Sequence, residues 1–141
     1  DLWLLGTGTG LAPFLSMLQD FETWNNYKQI NLVYSVRTQA ELAYVERIQE
    51  IAESFGEGHS GFKFIPIITR DPEAALHDRL PVLIANGELE KAAAMQLNPE
   101  TSHVMLCGNP DMVEDTKEAL KARGLTMNRR GEGNIAVENY W

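Results

Sequence analysis

Gly6, Gly8 and Gly10 alternate with Thr7 and Thr9 directly after the apolar run Leu2–Leu5, and Pro13 follows three residues later. Glycine permits a tight turn and leaves no Cβ between the backbone and a ligand. Proline suits the first helical position, where its missing N–H has no intrahelical partner anyway. The stretch predicts a strand, a glycine-rich turn and a helix N-terminus. The backbone N–H groups and dipole of such an N-terminus form an anion site. The chemistry this would serve is recognition of a dinucleotide pyrophosphate at the first βα turn. An ordinary tight loop with nothing bound is the alternative.

The pattern departs from G-x-G-x-x-G. From Gly8 it reads Gly8-Thr9-Gly10-Leu11-Ala12-Pro13, with proline where the third glycine would stand. The acidic residue expected about 20 positions on, which takes a ribose hydroxyl of NAD, has no obvious counterpart. The second strand ends instead in Val36-Arg37, the third in Thr69-Arg70, and Arg79 opens the next helix. A guanidinium donates two hydrogen bonds at once to a phosphate. Arginines gathered at strand tips in an acidic chain point to a 2′-phosphate, hence NADP(H) over NAD(H). Taken singly each is a solvated surface residue, so the reading rests on the group. Cys107, at the end of the fourth strand, has no activating base beside it in the sequence, which argues against cysteine nucleophilic catalysis. Three scattered histidines and one cysteine give no metal-ligand spacing.

The elements that would position these residues follow from periodicity. Phe14, Leu15, Leu18 and Phe21 predict a helix over Ala12–Phe21. Ile30–Val36 is a β-rich run. Thr38 and Glu41 form a capping-box pattern ahead of a helix with the stripe Leu42, Val45, Ile48, Ala52 and Phe55. Phe62–Thr69 is the third strand, and Pro66 within it predicts a sheet edge. Leu80–Ala85 and Glu88–Met95 are short helices, and His103–Cys107 is the fourth strand. Asn109 and Pro110 start a helix as N-cap and first residue. Met112, Val113, Thr116 and Leu120 make its inner face, Lys121 and Arg123 complement its C-terminal dipole, and Gly124 stops it. Ile135–Tyr140 is the last strand. Strands alternating with helices predict an α/β fold: a doubly wound, parallel, five-stranded sheet in the order 3-2-1-4-5, with helices on both faces. In such a sheet ligands bind beyond the carboxyl ends of the strands, where Gly6–Gly10, Arg37, Thr69-Arg70 and Cys107-Gly108-Asn109-Pro110 all fall.

The chain of 141 residues is one domain of ordinary size, and its net charge of −8 argues against nucleic-acid or acidic-membrane binding. The single cysteine excludes an intramolecular disulfide and suits a reducing, cytoplasmic setting. The sequence holds no transmembrane run and no signal peptide. It lacks an initiator Met and opens almost directly on a core strand, which leads to the expectation that an N-terminal partner domain lies outside this chain.

Three segments in this order and spacing carry a family resemblance. They are Gly6-Thr7-Gly8-Thr9-Gly10-Leu11-Ala12-Pro13-Phe14, the stretch Thr101–Pro110 ending Cys107-Gly108-Asn109-Pro110, and the terminal Val137-Glu138-Asn139-Tyr140-Trp141. Together they resemble the NADP-binding half of bacterial ferredoxin/flavodoxin–NADP reductases. The resemblance implies that residues 1–141 are the NADP(H)-binding domain, and that the FAD-binding β-barrel is the missing partner. It implies hydride transfer between NADPH and FAD, with one-electron exchange with ferredoxin or flavodoxin, in a monomer. It puts the pyrophosphate on Gly8, Thr9 and Gly10, and Thr7 at the flavin–nicotinamide junction. The 2′-phosphate and adenosine fall to Arg37, Arg70 and Arg79, with Val36 and Thr69 beside them. Cys107 and the segment Gly108, Asn109, Pro110 and Asp111 flank the nicotinamide. Cys107 and Glu138, which resembles a carboxylate near the flavin, stand at the catalytic locus. Tyr140 and Trp141 resemble the terminal aromatics that cover FAD.

Sibling readings are the reductase module of an oxygenase or a flavohaemoglobin, and a non-catalytic NADP-binding module. Ferredoxin and flavodoxin are usually acidic, so a docking face should be basic. Lys117, Lys121, Arg123, Arg129 and Arg130 are the candidates, with helix-end dipole compensation and a solvated loop as the alternative.

Overall fold

A computed structural model describes residues 1–8, 11–42, 45–56, 61–127 and 133–138. Five strands, β1 (Leu2–Thr7), β2 (Ile30–Val36), β3 (Phe62–Ile68), β4 (His103–Cys107) and β5 (Ile135–Glu138), form one sheet in the order β3-β2-β1-β4-β5. Every neighbouring pair is parallel. The order, the sense and the α/β class are those predicted.

β1 and β2 are buried along nearly their whole lengths, as parallel strands covered on both faces must be. Alternate residues feed two separate cores. Leu2 and Leu4 pack with Phe14, Leu18, Trp24, Leu32, Ile48 and Ile51, beneath α1 (Leu11–Leu18), α2 (Phe21–Asn26) and α3 (Val45–Phe55). Trp3 and Leu5 pack on the other face with Leu80, Leu83, Leu89 and Leu120, beneath α4 (Leu80–Ala85), α5 (Glu88–Ala93) and α6 (Pro110–Ala122). β3 is an edge strand with Pro66 exposed on it, where a missing donor is tolerated.

Four local expectations are corrected. The helix expected over Ala12–Phe21 is two helices. The backbone N–H groups of Gln19 and Asp20 turn back to Ser16 and Met17, and Asp20 caps α2 by accepting from the Glu22 N–H at 2.9 Å. Trp24 then lies buried, and its indole N–H donates to the Leu18 carbonyl at 2.8 Å, satisfying an orphan acceptor at the end of α1. Thr38 makes no side-chain cap. It precedes a single 3-10 turn over Gln39–Glu41, and α3 begins only at Val45. β3 ends at Ile68, one residue early. α5 ends at Ala93 rather than Met95, because Ala94 adopts the left-handed conformation at φ +54°.

Candidate functional site

β1 delivers the chain to Thr7 and Gly8 at the carboxyl edge of the sheet. Gly8 has φ +55°, a left-handed conformation that a Cβ penalises. Tyr34, buried on the adjacent β2, donates its hydroxyl proton to the Gly8 carbonyl at 2.9 Å and fixes the turn from below. Thr9 and Gly10 lie outside the described residues. α1 starts at Leu11, so Pro13 is its third residue rather than its first, still within the turn whose N–H groups lack helical partners. The first turn of α1 carries no acidic residue, so nothing there opposes an anion.

β2 and β3 remain paired past their formal ends. The Thr69 N–H donates to the Val36 carbonyl and the Arg70 N–H to the Arg37 carbonyl, both at 2.9 Å. This register sets Arg37 and Arg70 side by side. Arg79 reaches the same place from the N-cap of α4. A cavity of about 680 Å3 opens there. Its wall contains Thr7 at the end of β1 with Gly8 after it, Val36 with Arg37, Thr69 with Arg70, Arg79, and Asn109 with Asp111 from the α6 start. The volume lies in the usual range for small-molecule sites.

The start of α6, which β4 leads into, contributes another part of the wall. Asn109 is the N-cap of α6 and accepts from the Asp111 N–H at 2.9 Å and the Met112 N–H at 3.4 Å. Those donors are therefore used internally. The Asn109 N–H donates to the Thr7 hydroxyl oxygen at 3.2 Å, which ties the β1 and β4 exits together. Gly108 sits in that junction at φ +146°, and a Cβ on it would lie 1.9 Å from Thr7 Oγ1. Pro110 is the first residue of α6.

Not every candidate faces the cavity. Cys107 is buried, and its side chain belongs to the apolar core beneath α1. Neither it, Gly108 nor Pro110 contributes to the cavity wall. Glu138 ends β5 in register with Cys107, so its backbone stands at the same sheet edge. Tyr140 and Trp141 lie outside the described residues, as do Arg129 and Arg130. The remaining members of the basic stretch are paired with carboxylates. Lys117 meets Glu114 at 2.9 Å, Lys121 meets Glu118 at 3.5 Å, and Arg123 meets the buried Glu90. Arg123 also donates to the Ile84 carbonyl at 2.7 Å, so its role is to join α6 to α4 and α5 rather than to complement a dipole.

Four residues of the site escape sequence reasoning. Ser35 and Met112 line the cavity, Tyr34 supports its floor, and Asp115 binds Arg79 with Nη2 and Oδ2 3.2 Å apart. Only Asp115 carries a signal, since it follows Asp111 by four residues and shares its helix face.

Residues 4–118 match the family described as the oxidoreductase NAD-binding domain. The flavodoxin/ferredoxin–NADP reductase of Buchnera aphidicola subsp. Schizaphis graminum is 41% identical over 143 residues, covering 99% of this chain and 54% of the relative. The enzyme of the same name from Escherichia coli K12 is 41% identical over 143 residues, covering 99% of this chain and 56% of its own length. A crystal structure of a ferredoxin NADP+ reductase from Neisseria gonorrhoeae with bound FAD and NADP superposes with a TM-score of 0.88 at 38% identity. That alignment covers 100% of this chain and 56% of the other. The chain thus spans about half the length of the relatives it matches. With the family match running through the glycine turn, the arginine-bearing strand ends and α6, the chain belongs to the oxidoreductase NAD-binding domain family.

Proposed function

We propose that this chain is the NADP(H)-binding domain of a ferredoxin/flavodoxin–NADP reductase, working beside an FAD-binding β-barrel domain as a cytoplasmic monomer. One observation carries the reading. In a chain of net charge −8, the guanidinium-bearing residues Arg37, Arg70 and Arg79 converge on one cavity beside the Gly8 turn. Arg70 makes no side-chain hydrogen bond or ion pair among the described residues, so its donors are available to a ligand.

The residues fit a dinucleotide carrying a 2′-phosphate. Gly8 has nothing within 4 Å of where a Cβ would stand, so the turn is open to a pyrophosphate. Thr9 and Gly10 are assigned to the pyrophosphate with it. Arg37, Arg70 and Arg79 clamp the 2′-phosphate, with Val36 and Thr69 against the adenosine. Thr7 and Asn109 hold the β1 and β4 exits at the nicotinamide end. Cys107 brings its backbone to that end while its side chain packs beneath α1, and Gly108, Pro110 and Asp111 shape the approach. Glu138, Tyr140 and Trp141 are the residues assigned to the flavin. FAD held by the partner domain would supply the redox chemistry, hydride exchange with NADPH and one-electron exchange with ferredoxin or flavodoxin. The chain's own work is to bind, orient and exclude water, and no side chain has to move a proton. Among the described residues no helix is long and apolar enough to cross a membrane.

The test is parallel titration of the chain with NADPH and NADH, repeated on Arg37→Ala and Arg70→Ala. Each charge-assisted contact is worth about 1.5–3 kcal/mol, so each substitution weakens NADPH about tenfold to a hundredfold and leaves NADH nearly unchanged. Equal binding of both nucleotides by the parent chain refutes the 2′-phosphate assignment and moves the reading to NADH-dependent oxygenase reductases.

A further inference from the structure

We propose that Asp115 is a positioning residue for this site: its carboxylate holds Arg79 at the cavity wall, and through Arg79 it sharpens selection for a 2′-phosphate. The inference rests on the NADP(H) reading of the cavity.

Arg79 is a long side chain, more than half exposed, at the start of a short helix. A guanidinium in that setting samples many rotamers unless something holds it. The contact described for it is the ion pair with Asp115, Nη2 to Oδ2 at 3.2 Å. It engages one of five guanidinium donors and leaves the others for an anion. Asp115 comes from α6, a different element, one turn beyond Asp111 of the cavity wall. α6 is itself tied to β1 through Asn109 and Thr7. Arg79 is thereby referenced to the frame that carries the glycine turn.

The sign needs deciding, because a carboxylate near a phosphate also repels it. Asp115 is more than half exposed, so water and salt screen its charge at ligand distance. The direct bond to Arg79 is short-range and survives that screening better. Positioning therefore outweighs repulsion. An exposed pair of this kind adds little to folding stability, so the variants fold.

The experiment is a thermodynamic cycle on the chain: parent, Asp115→Ala, Arg79→Ala and the double variant, with Asp115→Asn as the conservative change. Kd is measured for NADPH, NADH and 2′-AMP. Asp115→Ala is expected to weaken NADPH and 2′-AMP about threefold to tenfold, leave NADH unchanged, and have no further effect once Arg79 is gone. Asp115→Asn, which keeps an acceptor, recovers part of the loss. Unchanged or tighter NADPH binding in Asp115→Ala overturns the proposal, as does an equal loss for NADH. If Arg79→Ala itself leaves NADPH unaffected, the 2′-phosphate assignment of Arg79 has failed, and the proposal with it. If Arg79→Ala weakens NADPH but Asp115→Ala does not, only the proposal fails.

Discussion

Two glycines of the site are required for different reasons, and alanine at each separates them. At Gly8 a Cβ would meet nothing within 4 Å, so Gly8→Ala costs only the left-handed backbone term, about 1–2 kcal/mol. At Gly108 the Cβ would stand 1.9 Å from Thr7 Oγ1, 2.9 Å from the Thr7 carbonyl oxygen and 3.0 Å from its nitrogen. The backbone there adds φ +146°, a region that L-residues rarely adopt. Backbone strain of about 1–3 kcal/mol and overpacking of about 1–3 kcal/mol give a loss of about 2–6 kcal/mol. That is a large part of a total stability on the order of 5–15 kcal/mol. Urea denaturation, followed by the fluorescence of buried Trp3 and Trp24, measures all three proteins. Combining Gly108→Ala with Thr7→Ala removes the nearest atom, so the pair should cost less than the sum of the singles. A Gly108→Ala loss no greater than that of Gly8→Ala would refute the close approach of the β1 and β4 exits.

Three further outcomes follow from particular contacts. Tyr34→Phe deletes the hydroxyl that holds the Gly8 carbonyl; it should cost about 0.5–1.5 kcal/mol in urea denaturation and, on the proposed pyrophosphate role of the turn, weaken NADPH and NADH alike. Arg123→Met leaves the buried Glu90 carboxylate with the Leu97 N–H but without its counter-charge. Discounted for the partial exposure of Arg123, the loss is about 1–3 kcal/mol, and a melting temperature unchanged by the substitution would contradict it. Ala94→Gly relieves a left-handed C-cap at φ +54° and should stabilise the chain by about 0.5–1 kcal/mol, readable as a higher urea midpoint with unchanged slope.

The strand order was legible because each apolar run is bounded by glycine, proline or polar turn residues. Strands alternating with helices then leave few right-handed parallel topologies. The cavity wall was legible for the same reason: a parallel sheet brings all carboxyl ends to one edge, so Arg37 and Arg70 had to share it. The helix break at Gln19–Asp20 was hidden because Phe21 continues the phase of Phe14 and Leu18, and periodicity cannot see a cap inserted between two helices. Cys107 was half-legible. Val104 and Leu106 belong to one core and Cys107 to the other, so strand parity aims its side chain beneath α1 even though its backbone ends at the site.

The arginines show most clearly where sequence reading stops. Arg79 and Arg123 both look like exposed helix-end cations in sequence. In the fold, Arg123 binds the 8%-exposed Glu90, 33 residues away, and an unpaired carboxylate at that burial would be costly. Arg79 binds Asp115, 36 residues away and 56% exposed, a partner that water could replace. The first pair is structural because its carboxylate, bonded also by the Leu97 N–H, has no other counter-charge among the described residues. The second can be dispensed with for folding, which leaves it free to position Arg79 at the cavity wall. Both partners are distant in sequence, so neither periodicity nor local charge pattern could separate a fold-holding arginine from a ligand-facing one. Partner burial does separate them: Arg123 joins α4, α5 and α6 through a buried carboxylate, whereas Arg79 stands at the cavity wall on an exposed one.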